Sequence, residues 1–152
     1  QDGYQVKTSC TVSALNFIGL ATLEGLTGKP VYLDTFEKKQ SIEHVELSRW
    51  LDVLVLCPAT ANIINKLAAG IGDDCVTTTC LAHDFSKPLI IVPAMNKNMW
   101  EHPATRNSLN LLLKWGAQVL PTTKGRLACG DTGYGRMLEP EDIYSAILKA
   151  LH

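Results

Sequence analysis

Apolar and polar positions along the 152-residue chain alternate between short continuous apolar runs and segments with helical spacing. VKTSCT (6–11) predicts a strand, SALNFIGLATLEGLTG (13–28) a helix closed by Gly28, and VYLD (31–34) another short strand. In the second cycle HVELSRW (44–50) predicts a helix and LDVLVLCPA (51–59) a strand covered on both faces, and TANIINKLAAG (60–70) returns to helical spacing before Gly70. DDCVTTTCLAHDF (73–85) extends the helical layer. PLIIVPA (88–94) is a third apolar run, followed by a helix over ATRNSLNLLLKWG (104–116). AQVLP (117–121), a Gly-rich loop and a last helix, EPEDIYSAILKAL (139–151), complete the chain. Alternation of this kind predicts an α/β fold with a parallel sheet and helices on both faces. Ligands in such folds sit outside the carboxyl ends of the strands, so the loops beginning at Thr11, Pro58, Ala94 and Pro121 are expected to share one rim.

Composition narrows the partner. With 46% hydrophobic and 19% charged residues the chain has the material for one domain with a proper core. A formal charge of -1 without a Lys/Arg cluster leaves no electrostatic footprint for nucleic acid or an anionic membrane, so a small molecule is the expected partner. No apolar run reaches membrane-spanning length and QDGYQVKTSC lacks the regions of a signal peptide, from which a cytoplasmic protein is expected. Five cysteines, Cys10, Cys57, Cys75, Cys80 and Cys129, are scattered without a CxxC pair, a pattern of reduced thiols rather than a disulfide framework or a metal site. Cys10 and Cys57, on strands, are expected to be small core residues.

The chemistry-bearing residues fall in the predicted rim loops. PATAN (58–62) carries a strand directly into a helix; Thr60 either simply caps that helix or opens an anion site built of free backbone N–H groups and the positive helix end. In PAMNKNMW (93–100), Asn96 offers a donor and an acceptor to a ligand with Met99 and Trp100 as walls, or else starts a helix whose Met and Trp belong to the core. LACGDTGYGRM (127–137) places Cys129 in a loop with three glycines, free to adopt unusual backbone angles or to act as a lid. His44, between Glu43 and Glu46, reads either as a surface residue of a short helix or as a general base in need of a pocket. His83 and His102 carry less, and His152 is terminal.

Taken in order, EHVELSRW, PATAN, PAMNKNMW and LACGDTGYGRM resemble the phosphopantothenoylcysteine decarboxylases of coenzyme A synthesis, within the FMN-containing cysteine decarboxylase family, over about residues 4 to 143. The resemblance implies a Rossmann-like (flavodoxin-like) three-layer fold with a parallel sheet and FMN as cofactor. It also implies 4'-phospho-N-pantothenoylcysteine as substrate, with 4'-phosphopantetheine and carbon dioxide as products. By it Thr60, Ala61, Asn62 and Ile63 contact FMN, with Thr11, Ser13 and Ala94 as further contacts. Asn96 and Met99 hold the substrate, His44 is the catalytic base, and Cys129 delivers the proton of the final reductive step. A flavin suits this reaction, because loss of carbon dioxide from a cysteinyl carboxylate leaves an unstabilised carbanion, and the electron sink it needs is one no side chain supplies.

The same resemblance implies a homotrimer or larger homo-oligomer, for which Trp50, Phe85 and Trp100 are candidate apolar interface positions. Family members begin with a strand and a Gly/Ser-rich turn into a helix. QDGYQV starts after that unit, so 1–152 is expected to be one flavoprotein decarboxylase domain, N-terminally incomplete and either single-function or cut from a fusion with a synthetase. Three alternatives accompany this reading. An enethiol-forming peptidyl-cysteine decarboxylase is disfavoured by Cys129, and a flavin prenyltransferase by PAMNKNMW with the Cys129 loop. A non-catalytic regulatory flavoprotein is disfavoured by the joint presence of His44, Asn96 and Cys129.

Overall fold

The structure, a computed structural model, describes residues 3–33, 43–126, 130 and 132–152. Two parallel ladders form its framework. β1 (Thr8–Ser9) pairs with β2 (Val31–Tyr32), and β3 (Leu54–Ala59), β4 (Leu89–Pro93) and β5 (Gln118–Val119) form a three-stranded sheet with β4 central. β1 and β3 are not paired with each other, so each keeps one edge without a strand partner among the described residues.

β4 explains its own sequence. All five residues are buried because both faces of the strand are covered. Leu89 and Ile91 point to one side, among Ile64 and Leu67 of α3 (Ala61–Ala68) and Leu109 and Leu112 of α6 (Pro103–Lys114). Ile90 and Val92 point to the other, among Leu120 and Ile143, Ala146 and Ile147 of α7 (Pro140–Leu151). Period-two alternation with no polar position is what a central parallel strand requires. Each fully buried aliphatic side chain here contributes roughly 1.5–3 kcal/mol of transfer free energy.

The remaining helices are α1 (Leu20–Thr27), α2 (Glu43–Trp50), α4 (Cys75–Leu81) and α5 (Lys97–Glu101). Three expectations are corrected. The segment 13–28 is not one helix: a 3-10 helix over Val12–Asn16 precedes α1, which starts afresh with Gly19 as N-cap and ends at Gly28 in the left-handed region. A side-chain cap at Thr11 and a flexible Gly19 make two short starts cheaper than one continuous helix. The Gly-rich segment is not wholly loop, because β6 (Thr123–Arg126) and β7 (Thr132–Arg136) pair antiparallel around it. Cys57 is exposed rather than a core residue, while Cys10, Cys75 and Cys80 are buried. Among the described residues no helix is long and apolar enough to cross a membrane.

Candidate active site

Three strands end in the same local construction. β1 leads through Cys10 to Thr11, whose hydroxyl accepts from the Ala14 N–H (3.2 Å) and starts the 3-10 helix. β3 leads to Thr60, whose Oγ1 accepts from the Ile63 N–H (3.4 Å) and starts α3. β4 leads through Ala94 to Asn96, whose Oδ1 accepts from the Met99 N–H (2.8 Å) and starts α5. In each case a short polar side chain in extended geometry follows within three residues of the strand end, the N-cap signature. The first N–H groups of every helix lack an intrahelical acceptor, so the carboxyl edge of the parallel strands carries a cluster of oriented backbone donors.

The middle of this edge is tied together by backbone. The Ala94 N–H donates to the Ala59 carbonyl over 2.9 Å, linking the PATAN and PAMNKNMW loops directly. At this junction Ala61 and Ile63 are buried in the core and Asn62 is exposed, so the Ala61 side chain is turned away from the edge, and the Ile63 N–H is taken by the Thr60 cap. Ser13 and Asn96 are exposed, and Met99 is 51% exposed, which overturns its reading as a core residue. Trp100 does pack on the core, with the Arg106 guanidinium over its ring at 5.1 Å.

The amide of Asn96 is polarised by its cap. With Oδ1 engaged by Met99, the NH2 is the half of the amide left to donate, a group suited to a carboxylate. His44 lies in the first turn of α2. Its Nδ1 is shielded from solvent and has no hydrogen-bond partner among the described residues. A buried imidazole nitrogen left free in this way is unusual for a residue that only solubilises a helix. Cys129, with 127, 128 and 131, lies outside the described residues.

Two other histidines make local contacts, although the Nε2 of His83, like the Nδ1 of His44, is buried without a hydrogen-bond partner among the described residues. His102 caps α6, its Nδ1 accepting from the Ala104 N–H (3.2 Å). His83 is buried, its Nδ1 accepts from the Phe85 N–H (3.2 Å), and burial holds its pKa below the ordinary 6.5. Burial pushes the Cys80 thiol up to about 12, so it is no ready nucleophile; the Cys57 thiol is also raised, by partial desolvation from its neighbours, although the residue is open to solvent. Cys57 Sγ lies 3.7 Å from Met137 Sδ.

Sequence reasoning missed the contact that seats the hairpin on this edge. The Met95 N–H donates to the Gly135 carbonyl (2.9 Å), and Gly133 lies against the Lys97 side chain. The G-x-G spacing in TGYGR was the available signal, since glycine inside a strand marks close approach of another backbone.

Parallel α/β ladders whose strand ends lead into helix starts capped at Thr60 and Asn96 carry the backbone donors that suit a phosphorylated small molecule. The family model described as Flavoprotein matches residues 1–152, and the chain belongs to that family. It is 42% identical over 145 residues to the coenzyme A biosynthesis bifunctional protein CoaBC of Bacillus subtilis (strain 168), covering 94% of this chain and 35% of that one. The chain thus spans about a third of the length of that relative. Among solved structures it is similar to a mutant PPC decarboxylase complexed with pantothenoylaminoethenethiol (TM-score 0.83, 37% identity, 95% of this chain and 82% of that one). It is also similar to the FMN binding protein AtHal3 (TM-score 0.79, 38% identity, 95% and 80%).

Proposed function

We propose that this domain catalyses the FMN-dependent decarboxylation of 4'-phospho-N-pantothenoylcysteine to 4'-phosphopantetheine in coenzyme A biosynthesis. The observation that carries the reading is Asn96: the cap on α5 consumes its oxygen and leaves its amide donors at an edge joined to the PATAN helix start by the Ala94–Ala59 bond. Relatives with these names, alike over 94–95% of the chain, support the substrate and the cofactor.

The donor set fits the flavin. Free N–H groups of Ala61 and Asn62 at the α3 start, with Thr60 and Ala94 beside them and Thr11 and Ser13 at the end of β1, would hold FMN and its anionic phosphate. When bound, FMN supplies a two-electron sink beside the thiol-bearing carbon, chemistry that no side chain offers. Asn96 donates to the substrate carboxylate and, with Met99, fixes its direction. His44, through an imidazole with a free nitrogen, removes the proton from the substrate early in the reaction. Cys129 is assigned delivery of the proton to carbon in the final step.

A homotrimeric or larger assembly in the cytoplasm completes this reading. Val12 (75% exposed), Phe17 (92%) and Leu26 (78%) put a run of apolar surface on the first helical segments that a neighbouring element or subunit would cover.

The test is to load the purified chain with FMN, add 4'-phosphopantothenoylcysteine and identify products by mass. Conversion to 4'-phosphopantetheine with release of carbon dioxide is expected. Failure of a flavin-loaded protein to consume substrate overturns the proposal, and accumulation of the enethiol alone transfers the chain to the enethiol-forming class.

A further inference from the structure

Hairpin β6–β7 joins neither parallel ladder, yet its second strand is bound backbone to backbone to the loop that presents Asn96. Gly135 has φ +117°, and a Cβ added there would meet the Met95 carbonyl oxygen at 2.2 Å and the Asn96 carbonyl carbon at 3.4 Å. The Met95 N–H donates in turn to the Gly135 carbonyl at 2.9 Å. Two positions earlier, a Cβ on Gly133 would stand 3.1–3.3 Å from the Cδ, Cβ and Cγ of Lys97. The two residues flanking Asn96 are therefore each gripped by a glycine of one strand, and no other residue type fits at Gly135 without moving the Met95 peptide.

We propose that Gly135 is a positioning residue for substrate recognition: its close approach to Met95 fixes the peptide that precedes Asn96, and so sets the direction in which the Asn96 amide donates to the substrate carboxylate. Three observations converge on this. Glycine inside a strand is disfavoured relative to alanine, so two glycines facing one loop indicate a need for proximity. A two-stranded hairpin is marginal alone, so this contact is also what holds β7 in place. Asn96 is the N-cap of a helix of only five residues, and the Met95 peptide held by Gly135 immediately precedes that cap. The inference rests on the reading of Asn96 as the carboxylate-orienting group.

The experiment compares two ligands that differ by the carboxylate. In the FMN-loaded full chain carrying Gly135→Ala, KM for 4'-phosphopantothenoylcysteine is expected to rise about tenfold, the loss of one well-directed charge-assisted hydrogen bond. The inhibition constant of 4'-phosphopantetheine, which lacks that carboxylate, is expected to stay within about twofold. A role confined to folding would lower apparent kcat at constant KM, or weaken both ligands alike; either result, or no change in either constant, overturns the proposal. If Gly135→Ala does not yield folded protein, Gly133→Ala, which presses only on the Lys97 side chain and carries no positive φ, is read the same way with about a threefold shift. Failure of the unsubstituted protein to turn over the substrate would instead sink the functional reading itself, so the two failures are separable.

Discussion

The backbone N–H of Ala94 donates to the carbonyl of Ala59 across 2.9 Å, joining the loop that starts α3 to the loop that presents Asn96. β3 and β4 are adjacent parallel strands, so their ends arrive together. The start of α3 and the loop that carries Asn96 are thereby joined through backbone. A phosphate and a carboxylate can be held at neighbouring positions of one edge.

Asn96→Asp separates capping from recognition. Aspartate caps a helix as well as asparagine, so the melting temperature should stay within about 2 °C of the unsubstituted protein. The variant loses the amide donors and sets a negative charge beside a carboxylate. We expect kcat/KM to fall by about 100-fold or more, near 3 kcal/mol, with FMN retained. Steady-state kinetics beside a flavin absorption spectrum decide it, and unchanged kinetics remove Asn96 from substrate binding.

Thr60→Ala removes the oxygen that accepts from the Ile63 N–H. The expected loss is about 1 kcal/mol of stability together with weaker FMN binding, whereas Thr60→Ser restores most of both. Chemical denaturation and flavin titration of the pair give the answer. Equal stability of the alanine and serine variants would mean that the cap contributes nothing.

His83 makes stability depend on pH. Its folded pKa is depressed by burial below the unfolded 6.5. Below pH 6.5 the unfolded chain therefore binds the proton more readily than the native one. The stabilising contribution is complete above 6.5 and is lost as pH falls toward the folded value. We expect His83→Leu to flatten the stability profile between about pH 7 and pH 5 relative to the unsubstituted protein, measured by urea denaturation across the range. Parallel profiles for the two proteins would show that His83 is not a source of the dependence.

Thiol accessibility follows burial. Cys57 is exposed, whereas Cys10, Cys75 and Cys80 are buried and Cys80 is pushed up to about 12. Native protein treated with an alkylating agent at pH 8 should be modified at Cys57 at least roughly tenfold faster than at those three, read by mass spectrometry of the digest. Labelling of Cys80 at a comparable rate would contradict the packing between α3, α4 and β4.

PLIIVPA was legible as a strand because a central parallel strand has no solvent face and so writes an unbroken apolar run. The caps at Thr60 and Asn96 were legible too, since capping is a local bond between a side chain and the N–H three residues on. The continuous helix expected over 13–28 was wrong because local capping at Thr11 competed with helical spacing, and spacing alone does not rank the two.

What the amino-acid order determined, then, is everything set by neighbours along the chain: strand ends, helix starts and the types of residue placed at them. What only the tertiary structure decided is which of those ends meet. The Ala94–Ala59 bond, the exposure of Cys57 and Met99, and the seating of Gly135 against Met95 span 35 residues or more or depend on what covers a surface. Glycine in TGYGR carries no side chain to announce a partner; the backbone that approaches it comes from 40 residues earlier, and the reason for the glycine is the space that backbone fills.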